Sequence, residues 1–269
     1  MPATGRAISV VQTLQQQHLS TAIQQVNQAH QGPFSYRAVL LTAPRRGWVA
    51  LVLEQKTVDW FLLRQLSANL GTGAFGLALH GVQLRYRYYH EGALVSAYES
   101  HLALRMAARL RQAVALGSIA QLDLEDPADA LVAQRFQLHQ QQHSWAQPSA
   151  TEPLPAEVAQ RYQGDVTALH PLLRSGIDPR YVQEALAPGY NPLAAWERLS
   201  ASLNLPYLRG EEVVTLTEQA TPLQMSAETL LDPDFWQAQG AFCPRAGCGC
   251  TSAPPYDHFP IGQAVRIVR

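Results

Sequence analysis

The stretch Leu84-Arg85-Tyr86-Arg87-Tyr88-Tyr89-His90-Glu91-Gly92-Ala93-Leu94-Val95-Ser96-Ala97-Tyr98 decides the fold class of this chain. Its first half alternates: Leu84, Tyr86 and Tyr88 fall on one face of an extended strand, Arg85, Arg87 and Tyr89 on the other. Glu91-Gly92 is a two-residue connection of the kind that closes a tight hairpin, because glycine adopts positive φ without steric cost. Residues 93–98 then form the return strand. With arginines on one side, that side of the sheet is expected to face water.

Working outward, residues 74–79 form a strand ahead of this hairpin. Residues 36–41 and 48–53 form two more, separated by the turn Pro44-Arg45-Arg46-Gly47. Between the second and third of these strands, Val58, Phe61, Leu62, Leu66 and Leu70 recur at helical spacing, with Thr57 as the expected cap and Gly71 as the stop. Ile8, Val11, Leu14, Leu19, Ile23 and Val26 predict a helix over 7–30, with Ser20 and Thr21 able to split it. Downstream, 102–114 reads as a helix, and Asp126-Pro127 reads as an N-cap with proline at the first helical position. The expected fold is therefore α+β: a mostly antiparallel five-stranded sheet with covering helices, followed by a smaller helical region. The proline-bearing segment 148–155 is the expected linker between a sheet domain (1–147) and a mainly helical region with a cysteine-containing tail (156–269).

The 269 residues are 47% hydrophobic and 15% charged, a balance that supports a packed core. A net charge of -1 supplies no overall field toward nucleic acid or anionic lipid. Apolar runs fall well short of the roughly 20 residues that cross a bilayer, so no membrane partner is expected. Residues 1–6 do not read as a secretory signal, and three cysteines confined to 243–250 do not form a distributed disulfide framework. A reducing, cytoplasmic setting is the expectation.

Several segments carry a resemblance. They are Pro44-Arg45-Arg46-Gly47-Trp48-Val49, Leu66-Ser67-Ala68-Asn69-Leu70-Gly71-Thr72, Tyr88-Tyr89-His90-Glu91-Gly92-Ala93-Leu94-Val95, Gly164-Asp165-Val166-Thr167-Ala168-Leu169, Asn191-Pro192-Leu193-Ala194-Ala195-Trp196 and Leu203-Asn204-Leu205-Pro206-Tyr207. Together, over roughly 35–210, they resemble a little-characterised family of bacterial cytosolic α+β proteins. The resemblance implies a fold and no reaction.

Two groups of residues carry site chemistry. Cys243, Cys248 and Cys250 with His258 offer three thiolates and an imidazole, a donor set for a structural zinc ion, although the C-x4-C-x-C-x7-H spacing is not that of a standard finger; uncommitted thiols are the alternative. His101, Arg105 and Arg109 recur along one helical face, and Arg85, Arg87 and Tyr89 share a strand face. They form an expected binding surface for phosphates or a partner's carboxylates. The alternative is that Asp123, Glu125, Asp126 and Asp129 answer those arginines within the fold. His80, His90, Glu91 and Glu99 are the candidates for an imidazole and carboxylate pair at the sheet edge. Trp48, Trp60 and Trp196 sit in apolar runs and are expected in the core.

No nucleophile elbow, Walker loop or zinc-protease signature occurs. Gly71-Thr72-Gly73-Ala74-Phe75-Gly76 follows a helix and enters a strand, the reverse of a dinucleotide site. The leading expectation is a non-enzymatic protein-binding protein of the immunity or adaptor type, its partner another protein. The alternatives are an enzyme using the His/carboxylate pair and a zinc-stabilised module contacting nucleic acid.

Overall fold

The computed structural model describes residues 6–13, 16–29, 38–41, 47–53, 58–141, 153–203 and 265–268. Their strands are β1 (Arg6–Gln12), β2 (Ala38–Leu41), β3 (Trp48–Leu53), β4 (Gly73–His80), β5 (Gln83–His90), β6 (Ala93–Glu99) and β7 (Val265–Val268). They form an antiparallel sheet in the order β6-β5-β4-β1-β3-β2-β7. The helices are α1 (Gln16–Ala29), α2 (Trp60–Leu70), α3 (Leu102–Leu116), α4 (Pro127–Gln141), α5 (Ala156–Arg161), α6 (Val166–Leu169), α7 (Pro179–Ala185) and α8 (Pro192–Ser202). The chain is α+β, and all five expected strands lie in the sheet, in which β1 sits between β4 and β3 and β7 adds at the edge beside β2.

The helix expected over 7–30 is half strand. Residues 6–12 pair with β3 on one side and β4 on the other, and helix starts only at Gln16. The reason is burial on both faces: Ile8 and Val10 join one core while Val11 joins the other. A strand covered on both sides loses its alternation, and Ile8, Val11 and Leu14 then mimic helical spacing. With β1 in place, β1-α1-β2 and β3-α2-β4 interleave in the order β4-β1-β3-β2, the split βαβ arrangement, and the β5–β6 hairpin widens it.

Helix α2 is capped by Asp59, whose Oδ1 accepts from Leu62 N at 2.8 Å, and not by the expected Thr57, which lies outside the described residues. It stops at Gly71 in the left-handed conformation, as its sequence predicts. The helix lies against β4 at Gly76, where a Cβ would meet Val58, Trp60 and Leu63 side chains at 2.7 Å. Glu91 and Gly92 both have positive φ, closing the β5–β6 hairpin on two residues.

The expectation of a wet sheet face does not hold. One face packs under α1 and α2, with Val49, Leu51, Ala74 and Ala78 against Leu19, Ile23, Leu62 and Leu66. The opposite face carries Phe75, Leu77, Tyr86 and Tyr88, and it is covered by Leu169, Val182, Trp196 and Leu199 from α6, α7 and α8. Each such side chain contributes about 1.5–3 kcal/mol on burial, which is why the helical region stays on the sheet. Residues from both sides of the expected linker thus share one core. A third apolar cluster joins α3 and α4 to Ala97 of β6, beside α2 on the arginine side of the sheet. Where α2 and the α3–α4 pair fail to meet, they leave a cleft.

Candidate binding site

The cleft is floored by β5. Alternation along that strand turns Arg85 and Arg87 toward α2, and the helical period of α3 turns Arg105 and Arg109 to the same space. The turn between α3 and α4 crosses the opening with Asp123 and Glu125, and α4 begins there at Asp126. As predicted, Asp126 caps this helix: its Oδ1 accepts from Ala128 N at 3.1 Å and Asp129 N at 3.0 Å.

The same carboxylate anchors an ion network. Its Oδ2 lies 2.7 Å from Arg87 Nη1. Arg105 spreads over two acids, with Nε 2.8 Å from Glu99 Oε2 and Nη1 donating to Asp129 Oδ1 at 3.0 Å. Asp129 Oδ2 accepts from the Asp123 backbone N–H at 3.2 Å, tying the crossing turn to α4. Arg64 of α2 closes the far side, its Nη1 2.9 Å from both Asp123 Oδ1 and Glu125 Oε2. Aromatic rings line the guanidinium planes: Trp60 lies 5.1 Å from Arg87 and 5.5 Å from Arg85, and Tyr162 lies 5.8 Å from both Arg87 and Arg105.

Burial alone would strip charge from this network, and the pairing reverses that. Burial favours the neutral form of Asp126, but Arg87 and Arg105 outweigh it and hold the carboxyl below its ordinary range. Burial also works against the charge of Arg87, and Asp126 with Tyr89 and Tyr162 overcomes it. Asp123 behaves oppositely: burial raises its carboxyl, and the opposing pull of Arg64 does not cancel the rise.

The expected surface is therefore largely an interior. Arg87 is 4% exposed, Arg105 8%, and Tyr89 2%. Arg85 and Arg109 are half-buried. Among the described residues neither makes an ion pair, and Arg109 spends Nη1 on the Gln121 carbonyl oxygen at 3.2 Å. His101 stands apart, its Nδ1 2.8 Å from Ser100 Oγ, on the wall of a second and larger groove. The acidic run supplies the counter-charges; Arg64 and Trp60 escaped notice as site residues because both sit within the apolar stripe of α2. Trp48 and Trp196 are buried as expected, whereas Trp60 is half-buried and forms a wall of the cleft.

The imidazole and carboxylate candidates do not converge. His80 and His90 pair with opposite ends of the β4–β5 ladder, and Glu99, across from Arg85, is committed to Arg105. His90 Nδ1 lies 4.0 Å from Glu91 Oε1, with both side chains exposed. Cys243, Cys248, Cys250 and His258 lie outside the described residues, and among those described no three acidic, histidine or cysteine side chains form a metal cluster. No described helix is long and apolar enough to cross a membrane.

Two concavities flank the network. The cleft, about 350 Å³, is lined by Trp60, Phe61, Arg64, Arg87, Arg105 and Arg109 together with Asp123, Glu125 and Asp129. The groove, about 1060 Å³, runs between the start of α3, α5 and α7. Arg105 faces the first and Glu99 the second, so their ion pair is the partition between them.

The depressed Asp126 carboxyl sets a pH dependence. Its stabilising contribution is complete above the ordinary aspartate value of about 3.9 and is lost as pH falls through the lower folded value. Urea unfolding stepped between about pH 5 and 3 is expected to show falling stability, with a shallower fall in Asp126→Asn. Equal slopes in the two proteins would remove Asp126 as a source. Asp123 contributes with the opposite sign, since a raised carboxyl favours the native state at low pH.

Comparison with protein-family models, with curated proteins and with solved structures finds no match to this chain.

Proposed function

We propose that the chain is a protein-binding module of the adaptor or immunity type, and that its partner seats in the groove between α3, α5 and α7. One observation carries the reading. The groove is lined by apolar Leu102, Ala103, Leu154, Leu186 and Pro188 together with polar Glu99, Ser100, His101, Gln163, Arg180, Gln183 and Glu184. Leu104 stands at its edge 56% exposed. Apolar side chains interleaved with polar ones are the composition of a recognition surface, and about 1060 Å³ lies at the top of the range for small-molecule pockets. The buried acids and bases nearby support binding over proton transfer, because Glu99, Asp126 and Asp129 are each held by an arginine.

The test compares proteins retained from the native cell extract by tagged wild type and by Leu104→Arg. An added cation on the exposed groove edge leaves the fold intact and opposes an apolar contact. The expected result is a retained protein that disappears with Leu104→Arg at unchanged melting temperature. Identical retained sets for the two proteins would refute the groove as the recognition site.

A further inference from the structure

We infer that the cleft beside Trp60 is an anion-binding pocket that takes an oxyanion, carboxylate or phosphate, carried on a small apolar or aromatic body. This does not depend on the groove, which lies across the Arg105–Glu99 partition.

The first support is a set of uncommitted donors. A guanidinium carries five N–H groups, and the acids around the cleft do not accept them all. Arg64 Nε and Arg105 Nη2 are buried with no hydrogen-bond acceptor, on side chains only 8% exposed, while Asp123 Oδ2 and Asp126 Oδ2 are likewise buried without a hydrogen-bond donor, the latter in its ion pair with Arg87. Nη2 of Arg105 comes no nearer than 3.7 Å to Asp126 Oδ1. Arg109 has its remaining donors uncommitted among the described residues. Buried donors left unmade are costly, and Arg64 and Arg105 line the cleft together with Arg109.

The second support is the behaviour of Glu125. This residue is 75% exposed on the crossing turn, yet its carboxylate reaches in to 2.9 Å from the buried Arg64 Nη1. An exposed side chain gives up rotamer freedom for that contact, so the cleft mouth accommodates a carboxylate beside Arg64. Glu125 can swing away, and a free oxyanion would take its place between Arg64 and Arg109. The third support is shape. About 350 Å³ matches a small organic molecule, and Trp60 and Phe61 give an apolar wall beside the cations. Burial disfavours the charge on Arg85, Glu99 opposes that, and the neighbouring Arg105, Arg87 and Arg109 add to it.

The test is calorimetric titration of the full chain with benzoate, phenyl phosphate and benzyl alcohol, against sodium chloride at matched ionic strength. Saturable binding of benzoate or phenyl phosphate, with none of benzyl alcohol, is the expected result, and the tighter of the two anions identifies the carboxylate or phosphate source. Arg109→Gln, at a half-buried residue with no ion pair, is expected to weaken binding roughly tenfold or more. Glu125→Ala is expected to tighten it by removing the internal competitor. The pocket is refuted if neither anion binds beyond the chloride control, if benzyl alcohol binds as well as the anions, or if both variants bind as wild type does.

Discussion

Replacing Asp126 with alanine is expected to remove about 3–5 kcal/mol of folding free energy, a large share of the roughly 5–15 kcal/mol that holds a typical domain. Two losses combine. The α4 amides of Ala128 and Asp129 lose their acceptor, which costs about 1 kcal/mol for an N-cap. The greater part is electrostatic: Arg87, 4% exposed, is left without the carboxylate 2.7 Å away. Chemical denaturation measures the effect, and a loss below about 1 kcal/mol would show that water reaches Arg87 and that the pair is not buried. Asp126→Asn separates the two parts, because asparagine caps helices well but carries no charge. Arg87→Met combined with Asp126→Ala is expected to recover much of the loss, since removing both charges leaves neither stranded.

The second large effect is expected at Trp196. It is buried on α8 among Phe75, Leu77 and Tyr86 of the sheet and Leu169, Val182 and Leu186 of the neighbouring helices. Trp196→Ala removes one of the two tryptophans in that core, the one buried to 1% exposure, and is expected to cost about 3–5 kcal/mol. The form of the transition matters as much as its midpoint. Because Ile8, Val10, Phe75 and Tyr86 share this cluster with Leu199 and Leu203, sheet and helices are expected to unfold together. Near-ultraviolet and far-ultraviolet dichroism should give coincident curves in wild type and variant. Two separated transitions, with the sheet surviving loss of the helices, would instead mark two independent units.

Much of the secondary structure was legible because the signals are local. Glu91-Gly92 forces a two-residue turn through positive φ at both positions, and no distant residue is needed to read it. Asp126-Pro127 announces a helix start through an acceptor and a pre-set φ, and Gly71 announces a stop in the same way. Where local signals compete, the sequence misleads. Thr57 and Asp59 are both able caps for α2, and only the path of the chain selects Asp59. Residues 6–12 have β-branched side chains suited to a strand, but their apolar spacing also fits a helix, and burial on both faces removes the alternation that separates the two.

The candidate site was half legible for a related reason. The arginines of β5 and α3 were evident as a group, and so was the acidic run that answers them. Which of them face water was not evident, because an arginine on an outward-looking strand face reads the same whether a helix covers it or not. Arg64 was invisible, since it lies among leucines in α2 and joins the site only because α2 packs across β4 and β5.

By itself the sequence determined the strands of the two hairpins, the Glu91-Gly92 turn, the N-cap of α4 and the α+β class, all through interactions that span a few residues. Only the tertiary structure decided that both sheet faces are covered, that β1 is a central strand, and that Arg64, Arg87, Arg105 and Asp126 meet in one buried network. Those outcomes depend on contacts between residues tens of positions apart, where burial outweighs local propensity and a charge finds its partner only once the elements have packed.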